Sequence, residues 1–355
     1  MSKNNLHKFY RWLKITLAVL ILGGAGFLGW FFFVQKTADF PVAETPLPLR
    51  LAIDVWPGNF WVIVAQKKGY FAEEGVSVEM KDVSADYDGS LDELTRGELD
   101  ANVLALYDLI ELNRGKVNLV GILVTDTSLE AEGIAAKPEF ARLSDLRGKR
   151  VGVNPESYLD FYLELAMANA GLAAGDYVKV PVNTDDLPEE FGDKNLDAAI
   201  AWQPTLGEME VKYNLKRIFT AADIEGLSPG ILVIPLSLAD SRADDLSGMM
   251  KAWYRATEFI KSNPEEAMAL VSEVEFESYP GHYAPEELLA LMEEDKINDL
   301  QDNLTAFSFS MGSGSLYGSV QNVARYLKKN RDIELDFDIK AVLNPRFIQL
   351  LKSSF

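Results

Sequence analysis

The sequence predicts an α/β fold of two lobes with the same plan, on three observations. After residue 48, strand-like and helix-like segments alternate. The alternation starts again near residue 150. Both halves also enter a later strand through Leu-Asp-Ala, in GELDANVLALYD at 97–108 and KNLDAAIAWQP at 194–204. Strands interleaved with helices argue for a mostly parallel sheet with helices on its faces.

Taken in order, Leu49–Val55 reads as a strand, Asn59–Lys68 as a helix, and Val76–Val83 as a strand in which Val76, Val78 and Met80 alternate. Leu91–Arg96 is helical and Ala101–Leu106 is a strand. The second half repeats this with a strand at Arg150–Val153, a helix at Pro155–Asn169 and a strand at Tyr177–Val182. A further helix-like stretch leads to the strand Ala198–Trp202. Asp54 and Asp100 are 46 residues apart, Asn154 and Asp197 are 43 apart, so order and spacing both match. ILVIPLSLA at 231–239 is too short to span a membrane and reads as another strand. Ligands of open α/β sheets bind beyond the carboxyl ends of strands, so two such lobes face to face make a cleft.

Composition narrows the function. With 48% hydrophobic and 11% aromatic residues, the 355-residue chain can pack a substantial core. A net charge of −20 excludes nucleic acid as a partner, because phosphates demand basic patches. The absence of cysteine removes disulfides, thiolate metal sites and thiol nucleophiles. The two histidines are His7 and His282, and His282 sits in the turn-rich SYPGHYAPEE, a surface stretch. No catalytic residue, cofactor or metal site is therefore expected. SMGSGS at 310–315 lacks the lysine and helix of a phosphate loop and reads as a surface or cleft-rim loop.

The N-terminus sets the compartment. Residues 15–34, ITLAVLILGGAGFLGWFFFV, contain no charge. At 1.5 Å per residue they cover roughly 30 Å, the hydrocarbon thickness of a bilayer. Lys3, Lys8, Arg11 and Lys14 precede the run and Lys36 alone follows closely, which keeps residues 1–14 cytoplasmic and exports residues 37–355. The apolar stretch exceeds that of a cleaved signal, and the following small-residue sites are poor, so an uncleaved single-pass inner-membrane anchor is expected. Residues 35–47 read as a tether.

VWPGNFWVIVAQKKGYFAEEGVSVE, LTRGELDANVL, LSDLRGKRVGVNPESYLDFYLELAMANAGL, LDAAIAWQPTL and KSNPEEAMALV stand in this order along the chain. Together they resemble the NMT1/THI5-like group of nitrate-, sulfonate- and taurine-type solute-binding proteins over about residues 48–350. The resemblance implies a type II periplasmic-binding-protein fold for 48–355, with lobe 1 at about 48–135 and 233–355 and lobe 2 at about 136–232. It implies capture of a small-molecule solute by lobe closure and delivery to an ABC permease and ATPase. The retained helix also admits a sensing module that signals to a separate membrane protein. A pyrimidine-synthase-like branch of the family acts through a cysteine-rich motif and histidine chemistry; this chain has no cysteine and no histidine at a predicted cleft loop, so an enzyme of that branch is the less expected alternative.

By position, the first loop offers Asp54, Trp56, Asn59 and Phe60; the loop after the second strand offers Ser84, Asp86 and Tyr87. The third strand's end offers Leu104, Tyr107 and Asp108. Lobe 2 offers Asn154, Glu156, Ser157 and Tyr158, then Trp202 and Gln203. Helix N-termini at 59–61 and 156–158 would present free N–H groups, which suits an anion. The acids point the other way: Asp54, Asp86, Asp108, Asp126 and Glu156 fall near strand-end loops with no lysine or arginine at matching positions. An amine-containing or aromatic solute, walled by Trp56, Tyr107, Tyr158 and Trp202, is therefore expected over nitrate.

Overall fold

A computed structural model of the chain describes Trp12, Lys14 and residues 47–354 apart from 225, 280 and 309–314. The expected cytoplasmic tail beyond Trp12 and Lys14, the membrane helix and the tether up to 46 lie outside the described residues, as does 310–314 of the serine-glycine run. Among the described residues no helix is long and apolar enough to cross a membrane.

From Pro48 the chain can be followed through two sheets. Strand β1 (Leu49–Ile53) pairs in parallel with β2 (Val78–Asp82), and a bridge from Leu51 to Ala101 joins it to β3 (Asn102–Ala105). The Arg50 N–H, which opens β1, donates to Asp100 Oδ2 at 2.9 Å, and the Arg50 guanidinium grips the same carboxylate. The chain then runs up β4 (Leu119–Ser128) and crosses at 129–131 into β5 (Glu132–Ala136), which belongs to the second sheet. There β6 (Arg150–Val153), β7 (Val178–Pro181) and β8 (Ala198–Trp202) repeat the plan of β1 to β3. The Arg150 N–H donates to Asp197 Oδ2 at 3.0 Å. The repeated Leu-Asp-Ala is thereby explained: each aspartate stands at the foot of a third strand and accepts the N–H that opens the first. After β9 (Lys216–Thr220) the chain returns through 221–228 to β10 (Pro229–Pro235) in the first sheet, which β11 (Asp295–Ile297) completes at the edge.

The first sheet runs β2-β1-β3-β10-β4-β11 and the second β7-β6-β8-β5-β9. Each thus has a parallel trio followed by an antiparallel strand borrowed across the interlobe crossing: β10 pairs antiparallel with β3 and β4, β5 with β8 and β9. Two expectations are corrected. The sheets are mixed, and the crossings fall at 129–131 and 221–228, several residues ahead of the boundaries read at 135/136 and 232/233. An apolar run does not disclose which sheet it joins, because pairing partners lie far away in sequence.

Helices cover both faces. Phe60 to Ala65 of the helix Phe60–Lys67 are all buried, wedged between the first sheet and the helix Ala243–Ser262. The lobes are also joined by aromatic packing. Tyr107 stacks on Phe161 with centroids 5.3 Å apart, and Tyr326 meets Phe161 edge-on. Arg331 pairs with Asp160 at 3.2 Å. At the hinge, the Glu294 carbonyl accepts the N–H groups of Leu129, Glu130 and Ala131. Its carboxylate accepts Gln203 Nε2 at 2.7 Å and pairs with Arg217 at 3.1 Å.

Candidate functional site: an acid-walled interlobe cavity

A cavity of about 390 Å³ lies between the strand ends of the two sheets, within the size of small-molecule sites. The first lobe lines it with Asp54, Trp56 and Asn59 after β1, Ser84 and Tyr87 after β2, and the end of β3. The second lobe contributes Glu132, Tyr158, Asp185 and Trp202 through Thr205. Asp126 of β4 and Ser228 to Gly230 entering β10 line it next to the crossings.

Asp54 ends the first strand segment, where its side chain closes the turn: Oδ1 accepts the Trp56 N–H at 2.9 Å and Asn59 Nδ2 at 2.8 Å. Burial pushes its carboxyl up to about 6 against the pull of those two donors, and the Asp126 charge adds to the rise. Asp126 is fixed more tightly. Its Oδ2 accepts Trp56 Nε1 at 2.8 Å and its Oδ1 accepts Thr125 Oγ1 at 2.6 Å. It lies against two glycines: a Cβ at Gly58 would stand 2.0 Å from its Oδ1, and one at Gly230 2.1 Å. No other residue fits at either place without moving the carboxylate. Behind it, Asp295 is buried with no donor on either oxygen, and burial together with the Asp126 charge drives its carboxyl well above the usual range.

Glu132, the first residue of β5, accepts hydroxyls from Tyr158 at 2.8 Å and from Ser228, all on Oε2. Burial raises it to about 7 despite those bonds, with Asp126 and Asp108 adding repulsion. Asp108, accepting Tyr87 Oη at 2.7 Å, is likewise raised by burial to about 7. A pattern runs through these contacts. Trp56 Nε1, Asn59 Nδ2, Tyr87 Oη, Tyr158 Oη, Ser228 Oγ and Gln203 Nε2 all donate to protein carboxylates. No lysine, arginine or histidine is among the residues that line the cavity.

Of the residues singled out in the sequence, Asp54, Trp56, Asn59, Ser84, Tyr87, Leu104, Asp126, Tyr158, Trp202 and Gln203 meet on this cavity. Gln203 arrives with its amide spent, since Nε2 donates to Glu294 and Oε1 accepts the Gly207 N–H. The others stand elsewhere. Phe60 is fully buried in the first-lobe core, because its place in the first helical turn directs it towards the sheet. Tyr107 is buried against Phe161 behind the cavity. Asp86 caps the helix Tyr87–Arg96 by accepting the Gly89 N–H, and Ser157 caps the helix Tyr158–Asn169. Asn154 lies outside the cavity wall, its Nδ2 3.5 Å from Asp88 Oδ2. At the two expected helix N-termini, the Asn59 N–H donates to the Trp56 carbonyl, the Phe60 N–H to the Pro57 carbonyl and the Glu156 N–H to Asp160 Oδ2.

Sequence reasoning passed over Glu132, Ser228 and Asp185. Glu132 opens EGIAA, a short apolar run with no flanking turn signal, so only its place at the crossing marks it.

The NMT1/THI5-like family model matches residues 56–267, more than half of the chain. The chain belongs to the NMT1/THI5-like family. Like this NMT1/THI5-like chain in sequence is a Brucella abortus protein whose name calls it a binding protein, 22% identical over 64% of this chain and 71% of its own length. In structure, the NMT1/THI5-like chain is similar to the periplasmic aliphatic sulphonate binding protein SsuA from Escherichia coli. The TM-score is 0.67 at 16% identity, covering 84% of this chain and 92% of that one. The periplasmic nitrate-binding protein NrtA from Synechocystis PCC 6803 gives a TM-score of 0.60 at 14% identity, covering 87% and 89%. These likenesses establish the two-lobed periplasmic-binding-protein fold for the NMT1/THI5-like chain.

Proposed function

We propose that the protein is an extracytoplasmic solute-binding protein, tied to the membrane by the apolar segment at 15–34, that captures a small organic amine with an apolar or aromatic body by lobe closure and hands it to an ABC importer. The single observation that carries the ligand class is the polar make-up of the wall: the donors of Trp56, Asn59, Tyr87, Tyr158, Ser228 and Gln203 serve protein carboxylates, and carboxylates line the cavity with no lysine, arginine or histidine among them. Two unit charges 4 Å apart interact by about 4 kcal/mol at an effective dielectric near 20. A protonated amine beside the ionised Glu132 carboxylate would thus gain up to roughly a thousandfold in affinity, an attraction that a sulfonate or nitrate cannot draw on. The named ligands of SsuA and NrtA therefore do not transfer with the fold. Trp56, Tyr87, Tyr158 and Trp202 supply faces and edges for the ligand's body and for cation–π attraction.

The test is a melting-temperature screen of the full-length protein with primary amines, quaternary amines, pyrimidines, taurine, alkanesulfonates and nitrate. Amines should raise the melting temperature and simple anions should not. A shift with nitrate or alkanesulfonate alone would contradict the reading.

A further inference from the structure

The amine reading can be taken one step further, to the number of N–H groups on the charged nitrogen; the step rests on that reading. Among the described residues, Asp54 and Glu132 each keep one carboxylate oxygen on the cavity wall that accepts no hydrogen bond, and Asp185 and Glu208 of the second lobe line the same wall with carboxylates that accept none. Asp54 spends Oδ1 on Trp56 and Asn59, which leaves Oδ2. Glu132 spends Oε2 on Tyr158 and Ser228, which leaves Oε1. Neither free oxygen is sealed within the protein. Beside Asp54 there is a third acceptor, Asn59 Oδ1, on a side chain only 1% exposed and without any donor. A buried acceptor left empty calls for a partner.

These acceptors come from both lobes. Asp54 follows β1 in the first sheet, and Glu132 begins β5 in the second. Closing the lobes brings carboxylates together that repel, as Glu132 already feels Asp126 and Asp108 of the first lobe. A ligand favours closure only through contacts that the closed form adds. We propose that the bound cation carries at least two N–H groups, as a primary ammonium or an amidinium does, and bridges Asp54 Oδ2 of one lobe to Glu132 Oε1 of the other. A quaternary ammonium has the charge but no N–H, so it satisfies neither oxygen and cannot fasten one lobe to the other by hydrogen bonds.

The experiment is a calorimetric titration of the full-length protein at pH 8 with three matched probes: 2-phenylethylamine, its N,N,N-trimethyl derivative and 2-phenylethanol. The primary amine should bind about tenfold or more tighter than the trimethyl compound, since each charged hydrogen bond is worth at least that factor. Glu132→Gln should bring the ratio between those two cations close to one. A purely structural Glu132 would leave the ratio unchanged. Equal affinity for the two cations, both tighter than the alcohol, overturns the bridge and leaves the amine reading standing. An alcohol that binds as well as the amine, or three silent probes, overturns both.

Discussion

Tyr87 of the first lobe and Trp202 of the second meet edge to face at the cavity, ring centroids 5.6 Å apart and planes at 61°. Both rings line the cavity, and Tyr87 is steadied by its hydroxyl's bond to Asp108. This aromatic contact therefore spans the cleft and forms part of its wall. Trp202 is only partly buried, so Trp202→Ala should leave the protein folded at a cost of about 1 kcal/mol for the lost pair. Amine affinity should fall about tenfold, which is the scale of one aromatic face against a cation. Melting curves with and without amine would read both effects. An unchanged ligand shift would remove Trp202 from the site.

The buried carboxyls give the ligand-free protein an unusual pH response. Asp54 at about 6 and Asp108 and Glu132 at about 7 hold protons more tightly folded than unfolded. Their contribution to stability is fully present below about pH 4 and is lost as pH rises through 6 to 7. Asp299, lowered to about 2 chiefly by Lys261, acts in the opposite sense but only below about pH 4. Urea denaturation should accordingly show the ligand-free protein less stable at pH 8 than at pH 5. Glu132→Gln should flatten that decline and raise stability at pH 8. A wild-type profile that is flat or rising across this window would contradict the assignment.

Asp126 owes its place to two missing side chains. Gly230→Ala would set a Cβ 2.1 Å from Asp126 Oδ1, and relieving that overlap should cost roughly 1–3 kcal/mol. The displaced carboxylate would also disturb its bond from Trp56, so amine affinity should drop. Gly175→Ala, with nothing within 4 Å, is the matched control and should change neither quantity. Equal behaviour of the two variants in denaturation and titration would show that the contact is of no consequence.

How far the sequence could be read depended on whether a feature was local. The Leu-Asp-Ala repeats signalled two like halves, and the Arg50–Asp100 and Arg150–Asp197 contacts show why: the same peptide N–H needs the same acceptor in each. The βαβ segments were legible from periodicity, within a few residues at their ends. Strands β4, β5, β9 and β11 were not, because their meaning comes from antiparallel partners such as Ile134 and Ile200, 66 residues apart. Asp86 and Ser157 show a different ambiguity. A short polar residue ahead of a helix serves equally as a cap or a ligand contact, and both proved to be caps. Glu132 escaped notice for the converse reason: nothing nearby in sequence announces that a strand's first residue will sit on the crossing between lobes.

The central claim, a positively charged ligand among carboxyls that are partly protonated when empty, is tested most directly by counting protons. Calorimetric titration near pH 6.5, in buffers of different ionisation enthalpy, measures the protons exchanged when the amine giving the largest melting shift binds. A cation lowers the affinity of Asp54 and Glu132 for protons, so binding should release them to the buffer. Proton uptake on binding, as an anion would cause, or the failure of every amine to bind, would contradict the account.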